Sequence, residues 1–177
     1  MTSHLHLSAA VACALALVAC DAQSPTPKGP TDAPPIEASP LTLSLAAAPA
    51  APGTVALDVN YLHKVNHAAP RMMELYVRHA DGWTFQGAEP LTATTAAGKE
   101  LVVQDQGGGL LRVIVYASGN TATLASGGLA RLTFTAPDKA SGTVSLESRM
   151  PIFAPAEANE GLLLGPPLTL SPGQGAP

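Results

Sequence analysis

The chain has 177 residues and a formal net charge of −4, and 46% of it is hydrophobic, 12% charged and only 4% aromatic. Its nine Lys and Arg residues are scattered singly, so the sequence gives no electrostatic support for nucleic-acid binding. The 16 Gly and 17 Pro residues favour many turns over long helices. Both cysteines, Cys13 and Cys20, lie near the N-terminus, so the rest of the chain cannot hold a disulfide or a zinc framework.

The chain starts with a short apolar segment, residues 7–19, with the sequence LSAAVACALALVA. These 13 residues are fewer than the roughly 20 that span a bilayer, and they are typical of the apolar part of a signal peptide. The segment ends in Leu17-Val18-Ala19-Cys20, which resembles the lipobox of bacterial lipoproteins. The resemblance implies cleavage before Cys20 and acylation of its thiol and new amino group. An ordinary signal peptide and a short buried apolar helix are the alternatives.

Acylation of Cys20 predicts a protein that is anchored to a membrane of the bacterial cell envelope, on its periplasmic or surface side, since two acyl chains suffice for stable anchoring. Asp21 follows the cysteine and resembles the inner-membrane retention signal of enterobacterial lipoproteins. Residues 21–40 contain six prolines and almost no hydrophobic residues, which predicts a disordered linker. Extended at about 3.1 Å per residue, this linker reaches on the order of 60 Å.

The predicted organisation therefore has four parts, which are a signal peptide (1–19), an anchored cysteine with a linker (20–40), a folded domain (41–171) and a disordered tail (172–177). Within the folded domain, short β-branched or alternating runs bounded by Gly and Pro predict strands. In chain order, these runs are 41–45, 54–61, 71–79, 83–85, 100–105, 110–116, 129–135, 143–148 and 168–170, with 91–95 as a weak candidate. Residues 149–167 are predicted to be irregular.

Two of these runs carry the most information about the fold. Residues 110–116 are apolar on nearly both faces, which predicts a central strand. In residues 129–135, Ala130, Leu132 and Phe134 alternate with polar residues, which predicts one buried and one solvated face. Eight or nine short strands at regular spacing indicate an all-β sandwich or barrel.

Three segments resemble the cohesin domain. They are the alternation through residues 73–85, the run GLLRV at 109–113, and LASGGLARLTF at 124–134 followed by GTVSL at 142–146. The resemblance implies an eight- or nine-stranded antiparallel jelly-roll sandwich over residues 41–171, related in fold to some carbohydrate-binding modules. Cellulosomal cohesins bind dockerins, whereas many isolated cohesin-like domains have no known dockerin. From this resemblance we therefore expect the cohesin fold and a binding face, but we do not infer that the protein binds a dockerin.

Catalytic and metal-binding signatures are absent from the sequence. His63 and His67 are four residues apart, but they fall in a predicted loop without a further ligand, so a solvated loop is the favoured interpretation over a metal site. Asp81, Asp105 and Asp138 each lie near a glycine, which is typical of turns rather than calcium loops. We expect no cofactor, no metal and no enzymatic activity.

The candidate binding residues are aromatic or apolar side chains predicted on strand surfaces: Tyr76, Trp83, Ile114 and Tyr116. An apolar outer face built by Leu110, Ile114 and Tyr116 would indicate a protein interface. Stacking of Trp83 and Tyr76 on sugar rings would indicate a carbohydrate-binding module instead. The third interpretation is structural: Trp83 and Phe85 close one end of the core and the tyrosines are half-buried. The favoured expectation is a non-enzymatic envelope lipoprotein that binds a protein, and the alternative is one that binds a polysaccharide.

Overall fold

The computed structural model describes residues 41–64, 67–137, 140–147 and 161–173, together with the backbone of residues 152–154. The predicted signal peptide, Cys20 and the linker lie outside the described residues, as does most of the predicted tail. Among the helices in the part of the chain that is described, none is long and apolar enough to cross a membrane.

The described residues form eleven strands and one short helix. In chain order these are β1 (Leu41–Ala48), β2 (Thr54–His63), β3 (Met72–Arg78), β4 (Thr84–Pro90), α1 (Thr92–Ala96), β5 (Glu100–Asp105), β6 (Leu110–Tyr116), β7 (Gly127–Thr135), β8 (Gly142–Leu146), β9 (Ile152–Ala154), β10 (Leu162–Leu164) and β11 (Leu168–Leu170).

The strands form two sheets. The first sheet has the order β10-β1-β2-β7-β4, and the second has the order β11-β8-β3-β6-β5, with β9 also paired to β3. All strand pairs are antiparallel except β1 and β10, which are parallel. The prediction of an all-β antiparallel sandwich is therefore confirmed, and so is the position of residues 110–116 between two neighbouring strands.

The core lies between the sheets and is built by the inward residues of each alternating strand. In β7, Ala130, Leu132 and Phe134 are fully buried, as the alternation predicts. The Phe134 ring is the centre of an aromatic cluster, with ring centroids 5.1 Å from His79 and 5.8 Å from both Trp83 and Phe85. Burial of a large apolar side chain contributes about 1.5–3 kcal/mol, so this cluster stabilises one end of the sandwich.

Two glycines allow close approaches that position the second sheet. A Cβ on Gly142 would lie 2.5 Å from the Trp83 ring and 2.5 Å from the Cβ of Ala80, so only glycine fits where β8 passes over the indole. Gly109 has a φ of 74°, and a Cβ there would lie 3.0 Å from the carbonyl oxygen of His79. Its own carbonyl accepts a 2.8 Å hydrogen bond from the His79 amide, which aligns β6 with β3.

The structure differs from the predicted strands in three regions. The predicted run 83–85 is the start of a longer strand, β4, which continues to Pro90 because it pairs with β7. Residues 92–96 form the helix α1 instead of a strand, because the amides of Thr94 and Thr95 both donate to the carbonyl of Leu91. The hydroxyl of Thr94 also donates to Leu129 at 2.7 Å and so attaches the helix to β7. The region predicted to be irregular, 149–167, contains β9 and β10, and these three-residue strands are too short to show a period of two.

Candidate functional site

The outer surface of the second sheet brings together side chains from β3, β6 and β5. Their inward neighbours fill the core, so alternation turns every second residue towards solvent. Cross-strand pairing aligns Tyr76 with Arg112 and Gln104, Glu74 with Ile114 and Val102, and Tyr116 with Glu100. We call this surface the second-sheet face, and its members are Met72, Glu74, Tyr76, Glu100, Val102, Gln104, Arg112, Ile114 and Tyr116.

The second-sheet face is shallow rather than pocketed. A depression of about 430 Å³ runs across it, with Met72, Val102 and Ile114 as its apolar lining and Tyr116 at one end. Small-molecule sites are usually concave and bury most of their ligand, whereas protein interfaces are flatter. The shape of this face therefore suits a macromolecular partner better than a small molecule.

An ion pair between Glu74 and Arg112 lies in the middle of the face. Arg112 Nη2 donates to Glu74 Oε2 at 2.5 Å, and the Tyr76 hydroxyl donates to Glu74 Oε1 at 2.8 Å. The Glu74 side chain is only 10% exposed, against 34% for that of Arg112. The hydrogen bond from Arg112 lowers the pKa of Glu74, and Glu74 in turn raises the pKa of Arg112. Both groups are therefore charged near neutral pH and hold each other in place.

Arg112 has further hydrogen-bond donors besides the one that contacts Glu74. Its Nη1 donates to Gln104 at 3.3 Å. Its Nε atom is buried and has no hydrogen-bond partner among the described residues. Burial of such a donor without a protein acceptor costs free energy.

Tyr116 forms the end of the face nearest to the start of β5. Its cross-strand neighbour is Glu100. A hydrogen bond to the Glu100 carboxylate raises the pKa of the Tyr116 hydroxyl, so the phenol stays protonated through the neutral range. The ring is half-buried, which gives it an apolar contact surface and a polar tip.

Three of the four candidate residues therefore share one surface. Tyr76, Ile114 and Tyr116 are half-buried on the second-sheet face. Leu110, which was expected on the same outer face, is buried instead. Trp83 is only 6% exposed and packs against Phe134, which agrees with the structural interpretation that it closes one end of the core. Sequence reasoning missed Glu74 and Arg112 as a pair, because their contact depends on the register between β3 and β6.

Of the two histidines of the predicted loop, His63 is the last residue of β2, so the loop prediction is wrong for it, because the strand continues past Tyr61 in its pairing with β1. The His63 ring stacks on the Tyr61 ring at 5.4 Å, and its Nδ1 lies 3.2 Å from the hydroxyl of Ser126. In the described segments, no group of three or more His, Cys, Asp or Glu side chains is arranged to hold a metal ion.

The outer surface of the first sheet has a different character. We call the outward residues of β2, β7 and β4 the first-sheet face, and Arg131 links Asp58 at 2.7 Å to Glu89 at 3.2 Å across it. A depression of about 510 Å³ on this face is lined mainly by small residues such as Ala56, Gly87 and Thr133. Towards β10, Leu62 and Leu163 are large and exposed, and they flank Thr42 on neighbouring strands.

Neither a protein-family model nor a curated protein matches this sequence. Solved structures do match the sandwich, among them the sixth cohesin of scaffoldin B from Acetivibrio cellulolyticus, in complex with a Cel5 dockerin. That match has 17% identity and a TM-score of 0.53 and covers 71% of this chain and 94% of the cohesin. The fold is that of a cohesin module.

Two further cohesins give the same result. The non-cellulosomal cohesin of the archaeon Archaeoglobus fulgidus matches with 14% identity and a TM-score of 0.55, over 74% of this chain and 89% of its own. The third ScaC cohesin of Acetivibrio cellulolyticus, in complex with the ScaB dockerin, matches with 10% identity and a TM-score of 0.58. This match covers 74% of this chain and 97% of the cohesin. At these identities the likeness establishes the cohesin fold alone.

Proposed function

We propose that this protein is a non-enzymatic binding protein whose cohesin-like sandwich binds a protein partner through the second-sheet face. The observation that carries the proposal is the arrangement of Ile114, Val102 and Tyr116 around a fixed Glu74–Arg112 pair on an open face. Tyrosine and arginine are enriched at the energetic centres of protein interfaces, and half-buried apolar side chains beside them supply the area to be desolvated.

The structural neighbours support the same class of function. Cohesins of similar fold have been crystallised in complexes with dockerins, which are protein partners. We propose a protein partner for this chain without specifying that it is a dockerin. Stacking on a polysaccharide needs an exposed aromatic face, and the indole expected to provide it, that of Trp83, is 6% exposed. The polysaccharide alternative therefore has less support.

The proposed partner can be tested by affinity capture from an envelope extract. The bait is the full-length protein in mild detergent, as wild type, as Ile114→Asp and as Leu163→Asp. The last variant is a matched control, because Leu163 is 50% exposed on the opposite sheet. We expect Ile114→Asp to reduce recovery of a specific protein by at least about tenfold, equivalent to about 1.4 kcal/mol, and Leu163→Asp to leave recovery unchanged. Equal recovery with all three baits would contradict the proposal.

We further propose that the protein is a lipoprotein of the cell envelope, acylated at Cys20 and held away from the membrane by the proline-rich segment 21–40. The support is the motif Leu17-Val18-Ala19-Cys20 after an apolar run. Metabolic labelling with a fatty acid should label the wild type, and Cys20→Ser should remove the label and release the protein into the detergent-poor phase. Retention of the label in Cys20→Ser would contradict acylation at this residue, and Cys13→Ser is the matched control.

A further inference from the structure

The outer surface of the first sheet carries a short apolar row at one end. Among the described residues, Leu62 and Leu163 are the large hydrophobic side chains that are exposed, at 57% and 50%. Thr42 lies directly between them, because it is the register partner of Leu62 on β2 and of Leu163 on β10. Neighbouring strands lie about 4.8 Å apart, so the three side chains form a row of about 10 Å, which we call the leucine row.

The leucine row points away from the core. Its neighbours along β1 and β2, which are Leu41, Leu43 and Tyr61, are at most 2% exposed. Alternation therefore turns Thr42 and Leu62 towards solvent. Singly scattered exposed leucines are ordinary, whereas exposed leucines on adjoining strands form one apolar surface that gains free energy when it is covered.

The leucine row lies at the end of the sandwich where the proline-rich segment 21–40 joins it. Leu41 is the first residue that the structure describes, and it pairs with His63, the last residue of β2. Only this segment and Leu41 separate Thr42 from Cys20, the proposed site of acylation. An anchor at Cys20 therefore keeps the leucine row within reach of a lipid surface.

The charge beside the leucine row suits a lipid surface. Lys64 directly follows β2 and is exposed. A lysine at the border of an apolar surface lays its methylene groups along that surface and places its ammonium among polar headgroups. The carboxylate of β2, that of Asp58, is four positions before Leu62 and is already paired with Arg131.

An anchor makes so small a contact surface sufficient. Two leucines bury too little area to hold a free protein on a membrane, since even one myristoyl chain gives only marginal binding. For an anchored domain the contact is intramolecular, and a short flexible linker gives an effective concentration in the millimolar range. The extended reach of segment 21–40, on the order of 60 Å, is an upper limit, so the segment also permits the short separation that contact needs.

Protein occupants fit the leucine row less well. A specific protein interface buries about 800 Å² on each partner, far more than two leucines and a threonine provide, and this limit applies to a second copy as well. Such interfaces also centre on aromatic or arginine side chains. The tyrosines with outward rings, Tyr76 and Tyr116, lie on the other sheet.

We propose that the leucine row is a membrane-contact site, at which Leu62 and Leu163 enter the headgroup layer of the membrane that anchors the chain. The inference rests on the proposed acylation of Cys20. Because the leucine row belongs to the outer surface of the first sheet, contact there turns the second-sheet face away from the membrane, where a protein partner can reach it.

Site-specific photocrosslinking identifies what covers the leucine row. A photoreactive phenylalanine analogue replaces Leu163 in the full-length protein, which is reconstituted into vesicles of phosphatidylethanolamine and phosphatidylglycerol. The analogue is apolar and so keeps the character of the row. We expect a phospholipid adduct, detected by mass spectrometry, that is at least about tenfold stronger than from the same analogue at Thr143, an exposed outward position of β8 in the second sheet.

Variants of Leu62 separate an apolar contact from mere proximity to the membrane. Leu62→Asp should lower the phospholipid adduct from position 163 by at least about tenfold, whereas Leu62→Met should change it by less than about twofold. Both variants should unfold in urea as the wild type does, because Leu62 is exposed. Both should also capture the proposed protein partner normally in detergent, where no bilayer is present.

Several outcomes would overturn the inference. An adduct with the mass of two chains would identify a second copy on the leucine row, and an adduct with another protein would identify a protein partner there. Equal phospholipid adducts from positions 163 and 143, no adduct from 163, or an adduct that Leu62→Asp does not change would also contradict it. The mass of the N-terminal peptide reports acylation of Cys20 in the same sample. An unmodified Cys20 contradicts the proposed lipoprotein together with this inference, whereas an acylated protein without the adduct contradicts the inference alone.

Discussion

The two outer faces of this sandwich are built by the same alternation and differ in what they present. The first-sheet face carries an ion network in which Asp58 and Glu89 are 22% and 61% exposed. Small residues line the depression beside this network, and the exposed Leu62 lies farther along β2. On the second-sheet face, the Glu74 side chain is 10% exposed and lies among aromatic and aliphatic side chains. Exposed ion pairs contribute little to stability or recognition, whereas a desolvated pair beside apolar groups can fix a partner's orientation. This difference is our reason for placing the proposed binding surface on the second-sheet face.

Trp83 belongs to the core and so contributes to neither outer face. The variant Trp83→Ala tests this placement, and its loss of unfolding free energy is the largest effect that we expect. Removal of an indole that packs against Phe134 should lower the free energy of unfolding by about 3–5 kcal/mol, as for other large-to-small core changes. Urea unfolding measures the change. Tyr116→Ala is the control and should cost much less, and an equal loss in the two variants would place Trp83 on the surface.

The two ion pairs provide the second test. Glu74→Ala leaves Arg112 without its carboxylate partner and should cost about 2 kcal/mol, because the lost hydrogen bonds are charge-assisted and shielded from water. Asp58→Ala should cost about 1 kcal/mol, because the Asp58 side chain is 22% exposed, against 10% for that of Glu74. Thermal and urea unfolding measure both variants. If Asp58→Ala were the more destabilising change, the proposed contrast between the faces would be reversed.

The pH dependence of stability gives a third test. The hydrogen bond from Arg112 lowers the pKa of Glu74 below its ordinary value of 4.5 in the folded protein. This stabilisation is therefore complete above about pH 4.5 and is lost as the pH falls through the lower, folded-state pKa. In Glu74→Gln, the free energy of unfolding should depend less steeply on pH than in the wild type, measured from pH 5 down to the onset of acid unfolding. An unchanged slope would mean that Glu74 is not held by Arg112.

The smallest expected effect is spectroscopic and concerns the end of the second-sheet face. Burial raises the pKa of Tyr61, and the hydrogen bond with the Glu100 carboxylate raises that of Tyr116 above the ordinary 10.0. Two phenols should therefore titrate late in an alkaline absorbance titration, and one of them is that of Tyr116. Glu100→Gln should move that titration towards 10.0. Tyr116→Phe identifies the transition, and a titration that is the same with and without Glu100 would contradict the contact.

Sequence reasoning predicted those parts of the molecule that depend on local alternation. The buried and exposed faces of β3, β6 and β7 follow from a period of two, and so does the shared surface of Tyr76, Ile114 and Tyr116. The short strands β9 and β10 were not predicted, because three residues are too few to show a period of two and because these strands are stabilised by partners far along the chain.

The remaining misses have the same physical origin. The helix α1 replaces a predicted weak strand, and the hydroxyl of Thr94 attaches this helix to Leu129 of β7, far along the chain. The Glu74–Arg112 pair depends on the register of two strands that are 38 positions apart at this point. Alternation assigns a residue to a face but does not say which residue on the next strand lies beside it. The Glu74–Arg112 pair at the centre of the candidate site therefore could not be predicted without the fold.

The central claim is tested most directly by site-specific photocrosslinking in cells that make the full-length protein. A photoreactive phenylalanine analogue is placed at Ile114 on the second-sheet face or at Thr133 on the first-sheet face, both of which are half-buried outward positions. If the second-sheet face binds the partner, we expect a discrete crosslinked protein from position 114 that is absent from position 133 and is lost when Arg112→Met is added. Crosslinking of the same protein from position 133, or from neither position, would contradict it.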